Sequence, residues 1–356
     1  MMKKIYVDGY FLSQKITGVQ RYAKQFIENM IDNGYEVTLI APSNATLDIP
    51  GAKKIQSRFK GMFWQQCILP FILLAHGFPP LLSLTGIGPV FYPNKMLAIH
   101  DASIYRFPKF FSKTYLLFYR IVYPVSIFFS KALITVSNFS MTELRHFIKM
   151  KKKIYVIYNV TSDLVSTDGD KISLLDGVGR YILTVGSLDE RKNLKRIVKA
   201  FNNSSIKEGY KLIVAGGNSS AFSDIKLECE NKNVIFTGYV TDGQLISLYK
   251  NASFFVYLSI YEGFGIPPLE ALTCDCPVLL ADIDVFREVY GDEFKYVNPS
   301  DISKISHEME KFSRLDREKI KQQQQPVISK FSKQNQIVQI YTALSGAFGE
   351  KNITVQ

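Results

Sequence analysis

The sequence predicts an α/β protein made of two Rossmann-like halves, on three observations. Short apolar runs rich in β-branched and aromatic residues alternate with helical stretches along 356 residues. One segment, Thr161 to Gly179, breaks the alternation with Ser, Asp and Gly and reads as a linker between the halves. An apolar fraction of 47% with 21% charged residues suits two domains of ordinary size.

The elements follow in order. KKIYVD at Lys3 is the first strand, and the Thr17-Gly18-Val19 turn opens a helix expected near Gln20. YEVTLIA is the next strand. MLAIHDASIYRFP sets His100 and Asp101 directly after a strand, at the carboxyl edge where α/β sheets bind ligands. KALITVS is a further strand before the linker. Beyond it stand RYILTVGS, YKLIVAGG, NVIFTGY, ASFFVYLSIY and PVLLA. The proline of KQQQQP ends a helix, and a last helix is expected from Lys333 to Leu344.

The stretch YEGFGIPPLEALTCDCPV, from Tyr261, carries the chemistry. Glu262 sits at a strand's end. Gly263 and Gly265 free the backbone, and Pro267 and Pro268 suit the first turn of a helix expected over Pro268 to Leu272. A strand, a glycine loop and a helix N-terminus present free N–H groups and a positive dipole end, which suits an anion. Glu262 and Glu270 would repel that anion, so they are assigned to hydroxyl groups, which carboxylates accept strongly. Phosphate together with polyol hydroxyls describes a nucleotide sugar. The same glutamates also fit solvated charges around an ordinary βα turn.

E-G-F-G-I-P-P-L-E resembles the signature of retaining glycosyltransferases of family 4 (glycosyl transferases group 1). These have the GT-B fold, two Rossmann-like domains facing a central cleft. The resemblance implies that the loop amides of Gly263, Phe264, Gly265 and Ile266 meet donor sugar and phosphate. It gives Glu262 to the sugar and Glu270 to the ribose. YILTVGSLDERKNLKRIVKAF resembles the family's strand-loop-helix with its basic diphosphate pair, here Arg191 and Lys192. Two cations there can neutralise a departing diphosphate. They also oppose the helix dipole, so a basic first turn wants a reason. Ser187 stands where many relatives carry arginine. Leu258 replaces a frequent proline and Asp275 a more usual glycine, though aspartate tolerates positive φ.

Backbone near Val240 is implied to approach the nucleobase. Thr17 and Gly18 are implied beside the donor diphosphate, and His100 resembles the donor-sugar histidine. Arg21 and Asp101 are read as acceptor-side residues, Asp101 also as orienting His100. The expected domains are 1–165, acceptor-side and completed by a C-terminal helix within 330–356, and 171–329, which binds the nucleotide sugar. The implied reaction moves a hexose-type sugar with retention, without metal, cofactor or covalent enzymic nucleophile. Its acceptor is a glycan, lipid-diphosphate-linked, in bacterial surface polysaccharide assembly. In the attack implied by the family, the departing phosphate oxygen takes the acceptor's proton.

DGD at Asp168 and DID at Asp282 spell a metal motif too short to carry weight, and the four cysteines form no zinc set. No signal peptide is read, and scattered cysteines suggest a cytoplasmic location, at the inner face of the plasma membrane where lipid-linked glycans are met. Residues 1–165 hold 20 Lys and Arg against 8 Asp and Glu, so the net +11 belongs to the first half. Anionic membrane is one partner for that charge; no nucleic-acid motif is present. From Gly61 to Asn94 there is no charged residue until Lys95, and YLLFYRIVYPVSIFFSKALI follows from Tyr115. Prolines and polar residues interrupt both, so neither is a span. They read either as buried helices or as an interfacial surface on a bilayer. A dehydrogenase would need G-x-G-x-x-G after the first strand, which VDGYFLSQKITG lacks. A GT-B epimerase and a silent nucleotide-sugar-binding subunit compete with the transferase for the same motifs.

Overall fold

The structure is a computed structural model that describes residues 3–149, 151–160, 170, 175, 177–186, 189–217 and 232–349. The chain divides into two units, Met1–Val160 with Ser332–Gln356, and Thr161–Phe331.

Unit 1 is built on seven parallel strands: β1 (Lys3–Asp8), β2 (Tyr35–Ala41), β3 (Lys53–Gln56), β4 (Leu81–Ser83), β5 (Lys95–Ala98), β6 (Ala132–Thr135) and β7 (Ile154–Val156). Their order is β3-β2-β1-β4-β5-β6-β7. Unit 2 holds β8 (Tyr181–Val185), β9 (Lys211–Ala215), β10 (Val234–Gly238), β11 (Phe254–Tyr257), β12 (Val278–Ala281) and β13 (Lys295–Val297), in the order β10-β9-β8-β11-β12-β13. Every pairing is parallel. Both sheets therefore reverse direction beside their first strand, between β1 and β4 and between β8 and β11. At such a reversal the flanking loops diverge and leave room for a ligand at the carboxyl edge.

The central strands are buried on both faces, which is why YILTV, KLIVA and FFVY read as continuous apolar runs. Strands β3, β4, β7 and β13 have three or four residues each, too few to show a period. Solvated lysines also obscure β3. The helix Ile266–Thr273 is longer at both ends than the span expected from its prolines, and the last helix runs Lys333–Phe348, beyond Leu344.

That last helix packs in unit 1. Asn29 Nδ2 donates to Lys333 O and to Gln336 Oε1, both at 2.9 Å, and Gln336 Nε2 donates to Tyr158 O at 2.9 Å. Gly346 faces Tyr155, where a Cβ would overlap the phenol oxygen.

The uncharged segment is mixed in fate. Its helix turns at Gly61–Phe63, widens to a π-helix at Trp64–Ile68 and continues as α-helix over Leu69–Ala75. Trp64, Leu69 and Leu73 join the core with Tyr6, Ile40 and Tyr92, whereas Phe63, Phe71 and Leu74 are exposed. Burial thus accounts for only part of these apolar helices. Helix Lys113–Phe129, interrupted by Pro124, likewise buries Ser126 and Ile127 and exposes Leu117, Ile121 and Phe128. Among the described residues no helix is long and apolar enough to cross a membrane.

Candidate active site

In unit 2 the loops after β8 and β11 flank the reversal of strand order. Asp189 opens a tight turn, accepting from the Arg191 backbone N at 2.9 Å and from Arg191 Nε at 2.8 and 3.0 Å. Burial alone would raise the Asp189 carboxyl; the Arg191 bonds outweigh it and hold the group below its ordinary value. The 3-10 turn Glu190–Lys192 ends at Asn193, which takes φ +59°. Asparagine tolerates this left-handed conformation because its short amide can bond locally. Here Nδ2 donates to Leu258 O at 3.0 Å and Pro299 O at 2.7 Å, and Ile260 N donates to Arg191 O at 2.8 Å. These bonds stitch the two loops together.

Lys192 is thereby aimed along the carboxyl edge. Its Nζ donates to Glu262 Oε1 at 2.6 Å and to Tyr257 Oη at 2.8 Å, and the Tyr257 hydroxyl donates to the same Oε1 at 2.7 Å. Burial opposes the Lys192 charge, but the Glu262 carboxylate and Tyr257 hydroxyl overcome it and push the ammonium above its ordinary value. Gly186 makes room for this side chain, since a Cβ there would lie 3.2 Å from Lys192 Cβ.

Gly265 takes φ +93° and opens the helix Ile266–Thr273; any Cβ would strike Phe286 Cε1 at 2.5 Å. Tyr290 Oη donates to Gly265 O at 2.5 Å. The Phe264 ring packs edge-on against Phe331, with centroids 5.2 Å apart. Its side chain therefore fixes the loop, and Gly263 beside it is buried. Glu270, also buried, lies in the helix that follows, and Tyr249 Oη donates to its Oε2 at 3.4 Å. Val240 is half-buried just after β10. Asp275 takes φ +58° at the turn before β12, the conformation expected of it.

In unit 1, Thr17 caps the helix Gly18–Asp32, which starts two residues before Gln20. Its backbone N donates to Gln20 Oε1 at 3.1 Å, and Arg21 N donates to Thr17 O at 3.0 Å. His100 Nε2 lies 3.0 Å from Leu84 O, and the ring meets Tyr22 edge-on at 4.8 Å. A carbonyl only accepts, so Nε2 carries the hydrogen and Nδ1 is the acceptor end. Burial lowers the imidazole's pKa, so it is neutral near pH 7. Asp101 Oδ1 accepts from Ser103 N at 2.8 Å; the hydrogen bond and ring contact that orient His100 come from Leu84 and Tyr22.

Three residues outside the motif reading emerge. Tyr257 was hidden in an apolar strand, Asn193 beside two cations, and Asp8 in KKIYVD. Asp8 ends β1 at the reversal, accepting from Tyr10 N at 3.1 Å, Gln65 Nε2 at 2.7 Å and Ser83 Oγ at 3.3 Å. Burial pushes its carboxyl up to about 6. The available signal was a carboxylate directly after the apolar run Ile5-Tyr6-Val7. Ser187 and Asp168 lie outside the described residues, and Asp282 Oδ1 accepts from Arg287 Nε at 2.8 Å. Among the described residues no three His, Cys, Asp or Glu side chains gather to hold a metal ion.

Two parallel sheets with this strand order, in separate units, define a GT-B-type α/β fold, and solved structures share it. Sucrose-phosphate synthase from Thermosynechococcus elongatus matches with TM-score 0.75 and 15% identity over 97% of this chain and 99% of that one. HepE from Anabaena, solved with UDP and glucose, matches with TM-score 0.70 and 19% identity over 97% and 100%. Residues 167–326 match glycosyl transferases group 1. The O-antigen chain mannosyltransferase RfbU of Salmonella typhimurium is 30% identical over 241 residues, 65% of this chain and 64% of the relative. The O-antigen chain mannosyltransferase B of Escherichia coli is 28% identical over 238 residues, 62% of each chain. The matched segment thus spans just under two thirds of these relatives.

Proposed function

We propose that the protein is a retaining glycosyltransferase that moves a hexose from a nucleoside diphosphate sugar to a lipid-linked glycan in surface polysaccharide assembly. The observation that carries this reading is the Lys192–Tyr257–Glu262 cluster at the strand reversal within the segment that matches glycosyl transferases group 1. A diphosphate offers Lys192 a stronger anion than one carboxylate, and sugar hydroxyls offer Glu262 replacement donors. Arg191, held by Asp189, adds a second cation near the same phosphates. The amides of Gly263, Phe264, Gly265 and Ile266 take the donor, Glu270 the ribose, and backbone at Val240 the base. In unit 1, Thr17 and Gly18 serve the diphosphate, His100 a sugar hydroxyl through Nδ1, and Arg21 and Asp101 the acceptor.

In the transfer the anomeric C–O bond to phosphate breaks and the glycosidic bond forms on the same face. The departing phosphate oxygen takes the acceptor's proton, and Lys192 and Arg191 stabilise the charge that develops on it. No step calls for a metal. The similarity to O-antigen chain mannosyltransferases makes mannose the first sugar to test.

The test is nucleoside diphosphate release from a panel of nucleotide hexoses in EDTA, with and without lipid-linked glycan extract, for wild type and Lys192→Ala. Acceptor-dependent release from one donor, lost in the variant, with an α-linked product from an α-linked donor, is expected. Binding without release from any donor and acceptor would favour the silent subunit.

A further inference from the structure

We propose that unit 1 docks on an anionic lipid bilayer through one continuous apolar face formed by its two exposed helices and the loop between them. The first helix presents Phe63, Phe71 and Leu74, each at least 54% exposed. The second, Lys113–Phe129, presents Leu117, Ile121 and Phe128, each at least 58% exposed. Single exposed apolar residues are ordinary, but clusters of this kind mark contact surfaces.

The two helices are joined through the loop that follows β4. Gln66 of the first helix donates to Gly88 O at 2.8 Å and accepts from Val90 N at 2.9 Å. Ser126 of the second donates to Ile87 O at 2.6 Å. Phe91, 72% exposed on that loop, meets Phe129 at 5.3 Å. The face is therefore held by hydrogen bonds beneath it, with its apolar side chains outward.

Charge selects the occupant. Between Asp48 and Glu143 stand ten Lys and Arg residues and one acidic residue, Asp101. All ten except Lys95 are exposed. Arg58 and Lys60 precede the first helix; Lys109 and Lys113 lead into the second, Arg120 sits on it, and Lys131 follows it. A second copy would set like charge against like charge across a twofold face. Nucleic acid would satisfy the cations and leave Leu, Ile and Phe against phosphate. Apolar side chains ringed by cations fit an anionic lipid interface, where the former enter the acyl boundary and the latter meet headgroups. Without a spanning helix among the described residues, the protein lies on the bilayer. This surface stands independently of the donor site in unit 2, and the proposed lipid-linked acceptor supplies its purpose.

The experiment is co-sedimentation of the full chain with phosphatidylcholine vesicles and with vesicles containing about one third phosphatidylglycerol. Wild type should sediment with the anionic vesicles, and added salt should release it. Lys109→Gln/Lys113→Gln/Arg120→Gln should lower partitioning by about 100-fold, near fivefold for each charge removed. Leu117→Ser/Ile121→Ser should lower it by about tenfold with an unchanged melting temperature, since both side chains are exposed. Absence of wild-type binding to anionic vesicles, or equal binding by the variants, would overturn the proposal. So would a lipid-free dimer that Leu117→Ser/Ile121→Ser dissolves, which would assign the face to a second copy. Vesicle binding needs no donor, so its failure leaves the transferase reading to be judged by product release alone.

Discussion

Lys192 Nζ and Glu262 Oε1, 70 residues apart in sequence, lie 2.6 Å apart, and the Tyr257 hydroxyl bonds to both. The pair is mutually compensated before any ligand arrives. A ligand that supplies only an anion to Lys192 would leave the Glu262 carboxylate with the Tyr257 hydroxyl and no cation, whereas the proposed sugar diphosphate would offer both residues replacement partners. Lys192→Ala should lower kcat by about 10²–10³. Tyr257→Phe, which keeps the ring, should cost about tenfold in kcat/KM. Steady-state kinetics with one donor checks both, and wild-type rates in Lys192→Ala would remove the diphosphate role.

Glu270→Ala should weaken nucleotide-sugar binding by about 10- to 100-fold, the worth of charge-assisted bonds to two hydroxyls. Calorimetry reads this without turnover. Unchanged affinity would take the ribose role away from Glu270.

Asn193 should prove a stability determinant. Asn193→Ala keeps a Cβ at φ +59° and orphans Leu258 O and Pro299 O, costing about 2–4 kcal/mol. Asn193→Gly relieves the backbone and should cost about 1 kcal/mol less. Denaturant unfolding of both variants tests the ranking; equal losses would mean that the left-handed angle carries no strain.

The buried Asp8 carboxyl gives unit 1 an acid-side signature. Its folded pKa, about 6, lies above the ordinary 3.8 because burial disfavours the charge. The folded protein therefore binds more protons between those values, and stability falls as pH rises from about 4 through 6, by up to about 3 kcal/mol. Asp8→Asn should flatten that slope in thermal melts across this range. A slope unchanged by the substitution would assign it to other groups.

The fold was legible where strands are long and buried on both faces, as in YILTV and FFVY, because apolar burial writes itself directly into composition. It was illegible at LLS and KYV, whose pairing is imposed by neighbouring strands. Glu262 and Lys192 were legible through their glycine and basic surroundings. Their mutual bond was not, since sequence separation conceals which loops a strand order brings together. Tyr257 read as core because the ring does serve the core, and only its hydroxyl reaches the cluster. The outward faces of the two apolar helices were illegible for the opposite reason: their core-facing side chains are equally apolar, so no period separates them.

The packing of helix Lys333–Phe348 in unit 1 makes that unit discontinuous along the chain. Unit 2 can be complete on the ribosome while the groups that await this helix, Asn29 Nδ2 and Tyr158 O among them, are still without it. Completion of unit 1 during synthesis then waits for a helix that emerges after unit 2, although unit 1 begins first. A chain stopped before Lys333 would hold a finished second unit and a first unit with an open seam.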